Sequence, residues 1–254
     1  MREKPDSVGW LYGRNGRCNA PTQQSSRPLR FVLLGAPGVG KGAQARLLAE
    51  FFGSCHLSTH DIFQAAKISP IDCRRSPVMA EAASFMDAGQ LVPDEAVLLL
   101  VAEQERRPHS RGGFILDGFP RTVAQAEVLE RLLGKLHVEL DAVLNYELPI
   151  EKLVARLSGR RMCPICKRIF HDETRPPKQP RLCDDCGAEL FQRKDDRAEA
   201  IRARVQAYER SIAPLAAFYR DRDLFVSISA EETPEEVFAR TLEALNFRSE
   251  PMPV

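Results

Sequence analysis

The string GAPGVGK at residues 35–41, directly behind the apolar run LRFVLL at residues 29–34, constrains this chain more than any other feature. A short apolar run closed by glycine suits a buried parallel strand. The glycines let the backbone curl so that successive N–H groups point into one hollow, where a Cβ would otherwise intrude. Behind them, residues 43–52 place Ala45, Leu48, Ala49 and Phe52 on one helical face. The hollow therefore lies at a helix N-terminus and gains its partial positive charge. Lys41 adds a compact cation that can reach outer phosphates. Strand, glycine loop, lysine and helix in this order define a phosphate-binding loop. A glycine-rich turn without a ligand is the bland alternative.

A strand of this kind needs a sheet around it. Further buried runs occur at residues 113–117 (GFILD), 142–146 (AVLNY) and 224–228 (LFVSI). Helical periods cover residues 94–105, 122–133, 150–157, 198–220 and 234–245. This alternation predicts an α/β fold, a parallel sheet wrapped by helices on both faces. Two stretches interrupt it: residues 58–92, mainly helical, and residues 159–196, rich in cysteine and proline. Both read as small inserts in a core spanning 29–247. Residues 1–28 are polar and aperiodic, with five Lys/Arg against two acids, and read as a flexible tail. Residues 248–254 form a short C-terminal tail.

Composition narrows the function. With 44% hydrophobic and 28% charged residues the chain suits a soluble globular enzyme. A net charge of +1 implies no general attraction to nucleic acid. The charge is uneven, however: residues 156–210 hold 14 Lys/Arg against 9 Asp/Glu, or +5, so the remainder sums to −4. A locally basic segment in a near-neutral chain suggests a small polyanionic ligand. No apolar run approaches the ~20 residues of a membrane span, and the first 28 residues hold no stretch of signal-peptide type.

Four of the seven cysteines form two Cys-x-x-Cys pairs, Cys163/Cys166 and Cys183/Cys186, separated by 16 residues. Two such pairs supply four thiolates for a tetrahedral zinc ion. Pro164 and Gly187 sit where the knuckle turns need them. With every position filled by a soft ligand no site stays open, so the metal is expected to be structural. The intervening loop, stiffened by Pro176, Pro177 and Pro180, is too polar for a core of its own, and the metal would replace one. Disulfides, unmetallated thiols or iron are the competing assignments. Cys18, Cys55 and Cys73 are left over and read as reduced thiols of a cytoplasmic protein.

Asp117, at the end of an apolar strand, is the carboxylate expected near magnesium, with a turn or cap role as the alternative. Gly42 and Ala43 stand where a hydroxyl residue usually follows such a lysine. The ion would lack that ligand and keep most of its waters, as magnesium prefers.

Three strings give the chain a family likeness. GAPGVGKGAQ (35–44), FILDGFPRT (114–122) and LSGRRMCPIC (157–166), the last followed by Phe170, His171 and RKDD (193–196), resemble the motifs of adenylate kinases, in their long-lid, zinc-binding form. The likeness runs from about Leu29 to Phe247. It implies ATP plus AMP giving two ADP with magnesium, in a monomer built of a core, an AMP-binding insert and a lid that closes over ATP. It also implies roles for matching positions. Gly38, Gly40, Lys41 and Gly42 would hold ATP phosphates. Thr59, Leu91 and Val92 would face the AMP nucleoside. Gly118, Phe119, Arg121 and Gln125 would bind AMP, with Arg121 at its phosphate and Gln125 at adenine. Arg156, Arg160, Arg193 and Arg204 would converge on the transferring phosphates, Arg156 and Arg160 from the ATP side and Arg193 and Arg204 towards AMP. Phe170 would stack near the ATP base. Independently of the likeness, phosphoryl transfer needs positioning and charge stabilisation more than covalent help, and planar guanidinium groups bind phosphate oxygens two at a time. Lid closure would exclude water that could otherwise accept the phosphoryl group, with Gly159 and residues 193–196 flanking the hinges.

The chain departs from the family pattern at three places. Gln64 replaces an arginine that grips the AMP phosphate, His60 replaces a glycine, and Ala43 replaces a threonine. Losing one charge-assisted contact costs ~1.5–3 kcal/mol, so weak AMP binding is expected. Arg74 or Arg75, in an insert longer than the commonest family pattern, could substitute. Alternatives are a kinase of another donor or acceptor, such as GTP:AMP, and a nucleotide-binding relative with impaired turnover.

Overall fold

All seven residues of the first strand, β1 (Leu29–Gly35), are buried, as expected of a strand covered on both faces. In the computed structural model, which describes residues 27–58, 98, 101–102, 113–166, 168–192 and 196–246, this strand is the middle of a five-stranded sheet. It is followed by α1 (Lys41–Phe52), β2 (Cys55–Ser58), β3 (Gly113–Asp117), α2 (Val123–Lys135), β4 (Ala142–Glu147) and α3 (Ile150–Ser158). Then come β5 (Arg160–Met162), β6 (Ile169–His171), α4 (Ala198–Arg220), β7 (Phe225–Ser229) and α5 (Pro234–Ala244). The sheet order is β2-β3-β1-β4-β7, with every neighbouring pair parallel.

Alternation along β1 divides the core in two. Leu29, Phe31 and Leu33 join Ala45, Leu48 and Phe52 of α1, Leu153 and Leu157 of α3, and Val237 and Leu242 of α5. Val32 and Leu34 face the other way, onto Ala126, Leu129 and Leu133 of α2 and Leu215, Phe218 and Tyr219 of α4. The long α4 serves both layers, since Ile201 and Val205 near its start belong to the first. Two helix starts are fixed by side chains. Thr122 caps α2 by accepting from the Gln125 N–H at 3.2 Å, and Thr233 with Glu236 forms a capping box ahead of Pro234 on α5. The first turn of α1 has no side-chain cap; Gly40 precedes it at φ 113°.

The expected parallel sheet wrapped on both faces is present, with three differences. β2 extends the sheet by an edge strand that the apolar pattern did not reveal, with Ser58 as its last residue. β7 begins one residue later than expected because the Leu224 N–H closes the turn after α4 on Tyr219 O at 3.1 Å. The cysteine-rich insert contains β5 and β6, an antiparallel pair. Of the helix expected over 94–105, Leu98, Val101 and Ala102 are described, helical and buried. Both tail segments other than 27–28, residues 59–92, and with them His60, Gln64, Arg74 and Arg75, lie outside the described residues.

Candidate active site

The carboxyl ends of parallel strands converge, and ligands of such sheets bind in the crevice beyond them. Here β1 ends in the phosphate loop and β3, its neighbour, ends at Asp117, paired in register with Leu33. Gly35, Gly38 and Gly40 have φ of 146°, 88° and 113°. A Cβ on Gly38 would come within 2.6 Å of the Leu157 side chain, and one on Gly35 within 2.7 Å of Tyr146 O. The loop thus nests against β4 and α3 with no room for a side chain at Gly35 or Gly38. Lys41 Nζ donates to Gly35 O at 2.7 Å and Ala36 O at 3.2 Å, holding the ammonium within the loop.

The charges around Lys41 come from distant parts of the chain. Its pKa is lowered by burial first, and further by Arg121 and Arg204, while Asp117 pulls it up. One carboxylate and two guanidinium groups, from β3, the segment before α2, and α4, therefore act on a single ammonium. Asp117 Oδ2 would stand 3.8 Å from a Cβ on Gly42, so this oxygen faces the start of α1. Arg121 is fixed by its own turn. Its backbone N–H donates to Gln125 Oε1 at 2.6 Å, and its Nε donates to Gly118 O at 2.7 Å. Gly118 has φ 93° and the Phe119–Pro120 bond is cis. Arg156 donates to Val39 O at 3.1 Å and Ala230 O at 3.4 Å, and burial lowers its pKa.

Beside the loop lies a cleft of about 890 Å³, walled by Gly40, Ala43 and Gln44 on one side, Arg156 and His171 on another, and Ala230 on a third. Ala230 directly follows β7, so this wall was findable from the rule about strand ends, although no motif marks it. His171 stands in the family-like string beside Phe170 but has no role assigned by it, and His56 carries no sequence signal of this kind.

Two expected residues are placed differently. Phe170 is 1% exposed and packs with Cys163, Cys183 and Leu190 into a small core under the thiols. Strand alternation turns its ring inward and gives the cleft to the next residue, His171. Phe119 is 3% exposed and its ring belongs to the core beside α2 and α4, so only its backbone could meet a ligand. Arg160 forms a bidentate pair with the fully buried Asp196, at 2.9 and 2.5 Å. Gln192 adds bonds to Ser158 O at 2.8 Å and Asp196 O at 3.2 Å. Both stems of the cysteine-rich insert are tied together by these contacts. Thr59, Leu91, Val92 and Arg193 lie outside the described residues.

In that insert the Sγ atoms of Cys163, Cys166, Cys183 and Cys186 all lie within 4.8 Å of one another. The pairs Cys163–Cys186 and Cys166–Cys183 stand at 3.4 Å, too far apart for a disulfide. A tetrathiolate zinc ion with bonds of ~2.3 Å spaces its sulfurs by about 3.8 Å, so the donor set fits. The two knuckles match: Cys163 N donates to Arg168 O and Cys183 N to Ala188 O, both at 2.9 Å. Among the described residues no helix is long and apolar enough to cross a membrane.

Fold and site together define a phosphotransferase-type nucleotide kinase, with a phosphate loop at the centre of a parallel sheet and a four-thiol insert tied beside it. The family model described as adenylate kinase matches residues 33–224. An adenylate kinase of Carboxydothermus hydrogenoformans is 42% identical over 217 residues, covering 85% of this chain and 99% of the relative. Those of Gloeobacter violaceus and Methanothrix thermoacetophila are 44% and 42% identical over 220 and 210 residues, with 98% and 95% of each relative covered. The chain belongs to the adenylate kinase family.

Proposed function

We infer that the chain transfers the terminal phosphoryl group of ATP to AMP, giving two ADP, and runs the reverse reaction with the same groups. The observation that carries this reading is the glycine loop at the end of β1, with the Lys41 ammonium held inside it and Asp117 at the end of the neighbouring β3. An AMP phosphate oxygen attacks the terminal phosphorus of ATP, and the bond to the departing ADP oxygen breaks. Negative charge spreads over the oxygens in flight, and a preorganised ammonium with guanidinium groups stabilises it. Gly38, Gly40 and Gly42 let the loop's N–H groups approach the donor phosphates, with Lys41 released from its carbonyl partners to meet them. Arg121, braced by Gly118 and Gln125, holds the acceptor phosphate, with Gln125 towards its base. Arg156 and the cleft beside Ala230 receive the donor nucleotide. Arg204 supplies charge from α4, joined by Arg193 and, at the acceptor nucleoside, by Thr59, Leu91 and Val92, while Arg160, expected among them, stays on the buried Asp196 and anchors the insert stem.

Magnesium bound with ATP would neutralise phosphate charge beside Asp117. Ala43 offers no hydroxyl to it, so water and the Asp117 carboxylate must order its surroundings. The four cysteines hold a structural zinc. The family likeness favours a monomer in the cytoplasm. Gln64, lacking the charge of the family's arginine, should weaken AMP binding.

A coupled assay with ATP and each nucleoside monophosphate tests the reading. Turnover is expected with AMP. No turnover with AMP despite measurable nucleotide binding would refute it.

A further inference from the structure

His56 lies on the edge strand β2, buried beside the site, and no step so far uses it. β2 pairs with β3 so that Ser58 faces Asp117 and His56 faces Ile115. From there the imidazole reaches diagonally across the sheet to the end of β3. Its Nε2 stands 3.7 Å from Asp117 Oδ2, and the two side chains are only 11% and 15% exposed. Nε2 is buried and makes no hydrogen bond among the described residues. A buried ring nitrogen with no partner is unfavourable, so an imidazole kept here needs an acceptor that it reaches in some state of the enzyme. At 3.7 Å the contact is longer than a hydrogen bond, as catalytic contacts often are before substrates tighten them. The oxygen it faces, Oδ2, is also the one turned towards Gly42 at the start of α1.

We propose that His56 is a positioning residue for the transfer reaction: its Nε2–H holds Asp117 Oδ2 in the orientation that orders the water shell of the nucleotide's divalent cation. This rests on the reading of Asp117 as the carboxylate beside that cation. The chain has particular need of such a brace. Alanine at position 43 removes the hydroxyl that could share the task, so orientation falls to one carboxylate. A carboxylate's terminal torsion is broad, so each group that faces it helps to set its orientation, and His56 faces Oδ2 from β2. Outer partners that orient metal-side groups are worth roughly 10–100-fold in metal affinity. Because Asp117 acts through water, the low end applies here.

The test compares His56→Ala, His56→Gln, Asp117→Asn and the double variant His56→Ala with Asp117→Asn. Two readouts are needed: the half-saturating Mg2+ concentration in the coupled assay, and the water-proton relaxation of the enzyme–ATP–Mn2+ complex. His56→Ala should raise the half-saturating Mg2+ concentration roughly tenfold and alter the relaxation, with kcat largely recovered at high Mg2+. His56→Gln, which keeps an N–H donor of similar reach, should restore most of both. In the Asp117→Asn background His56→Ala should add nothing. Unchanged metal dependence in His56→Ala, or a folded His56→Gln that behaves like His56→Ala, overturns the proposal and leaves the role of Asp117 standing. Unchanged metal dependence in Asp117→Asn overturns both.

Discussion

The buried pair at the insert stem is asymmetric, and the asymmetry gives its two members different costs. Asp196 is completely buried, whereas the Arg160 side chain is 23% exposed. Arg160→Met would leave the carboxylate in the interior without its bidentate partner, which costs about 3–5 kcal/mol. Asp196→Asn leaves a neutral acceptor and a guanidinium that can turn to water, costing about 1–2 kcal/mol. The effect should be local, because the pair ties β5 to the start of α4. The amides of Met162 and Phe191, bonded to each other's carbonyls at 2.9 and 3.0 Å beside this stem, report on it directly. At about 1.4 kcal/mol per tenfold, Arg160→Met should speed their hydrogen exchange by about two orders of magnitude or more. If unfolding is cooperative, Tm should fall by roughly 6–20 °C. Asp196→Asn should give about tenfold faster exchange. The reasoning fails if Arg160→Met leaves these amides unchanged, or if Asp196→Asn is the more damaging variant.

Further outcomes follow from the same geometry. Cys183→Ser, or a strong chelator, should remove one equivalent of bound zinc, and the amides of Cys163 and Leu190 should lose protection while those of β1 and β3 keep it. Retained protection after metal loss would contradict a structural metal. Gly38→Ala should raise the ATP KM at least about tenfold, since alanine at φ 88° costs about 1–2 kcal/mol and its methyl meets Leu157. Adding Leu157→Ala should relieve the contact but not the backbone cost, and full recovery would show that the backbone argument is wrong. Burial, with Arg121 and Arg204, depresses the Lys41 pKa. For a depressed lysine the penalty is present below the folded pKa and lifts as pH rises past it. Bound phosphates reverse the depression, so a linked diadenosine phosphate added in alkaline buffer should drive proton uptake. Calorimetry in buffers of different ionisation enthalpy measures this uptake, and Lys41→Met should abolish it.

The glycine spacing from Gly35 to Gly40, with Lys41 behind it, was sufficient in sequence to indicate a strand, a loop and a helix start. Conformations that only glycine tolerates, and apolar runs of strand length, are local properties that need no partner to be legible. The four cysteines were equally plain, because thiol pairs with two residues between them have few uses besides metal. What the sequence could not carry were relations between segments far apart in the chain. β2 is four residues long with a histidine in it, and it becomes a strand only because β3 offers an edge to pair with. Phe170 turns away from the cleft and His171 into it because β6 pairs with β5 in one register, and a shift of one residue would exchange them. The buried Arg160–Asp196 pair and the contact of His56 with Asp117 arise from pairings that no local pattern encodes. The sequence alone thus determined a phosphate loop on a wrapped parallel sheet and a four-thiol insert, since short-range backbone and ligand chemistry suffice for those. The tertiary structure decided which arginine is spent on a buried carboxylate, which aromatic ring faces the thiols, and which histidine stands beside Asp117, because each depends on strand register and packing between residues distant in the chain.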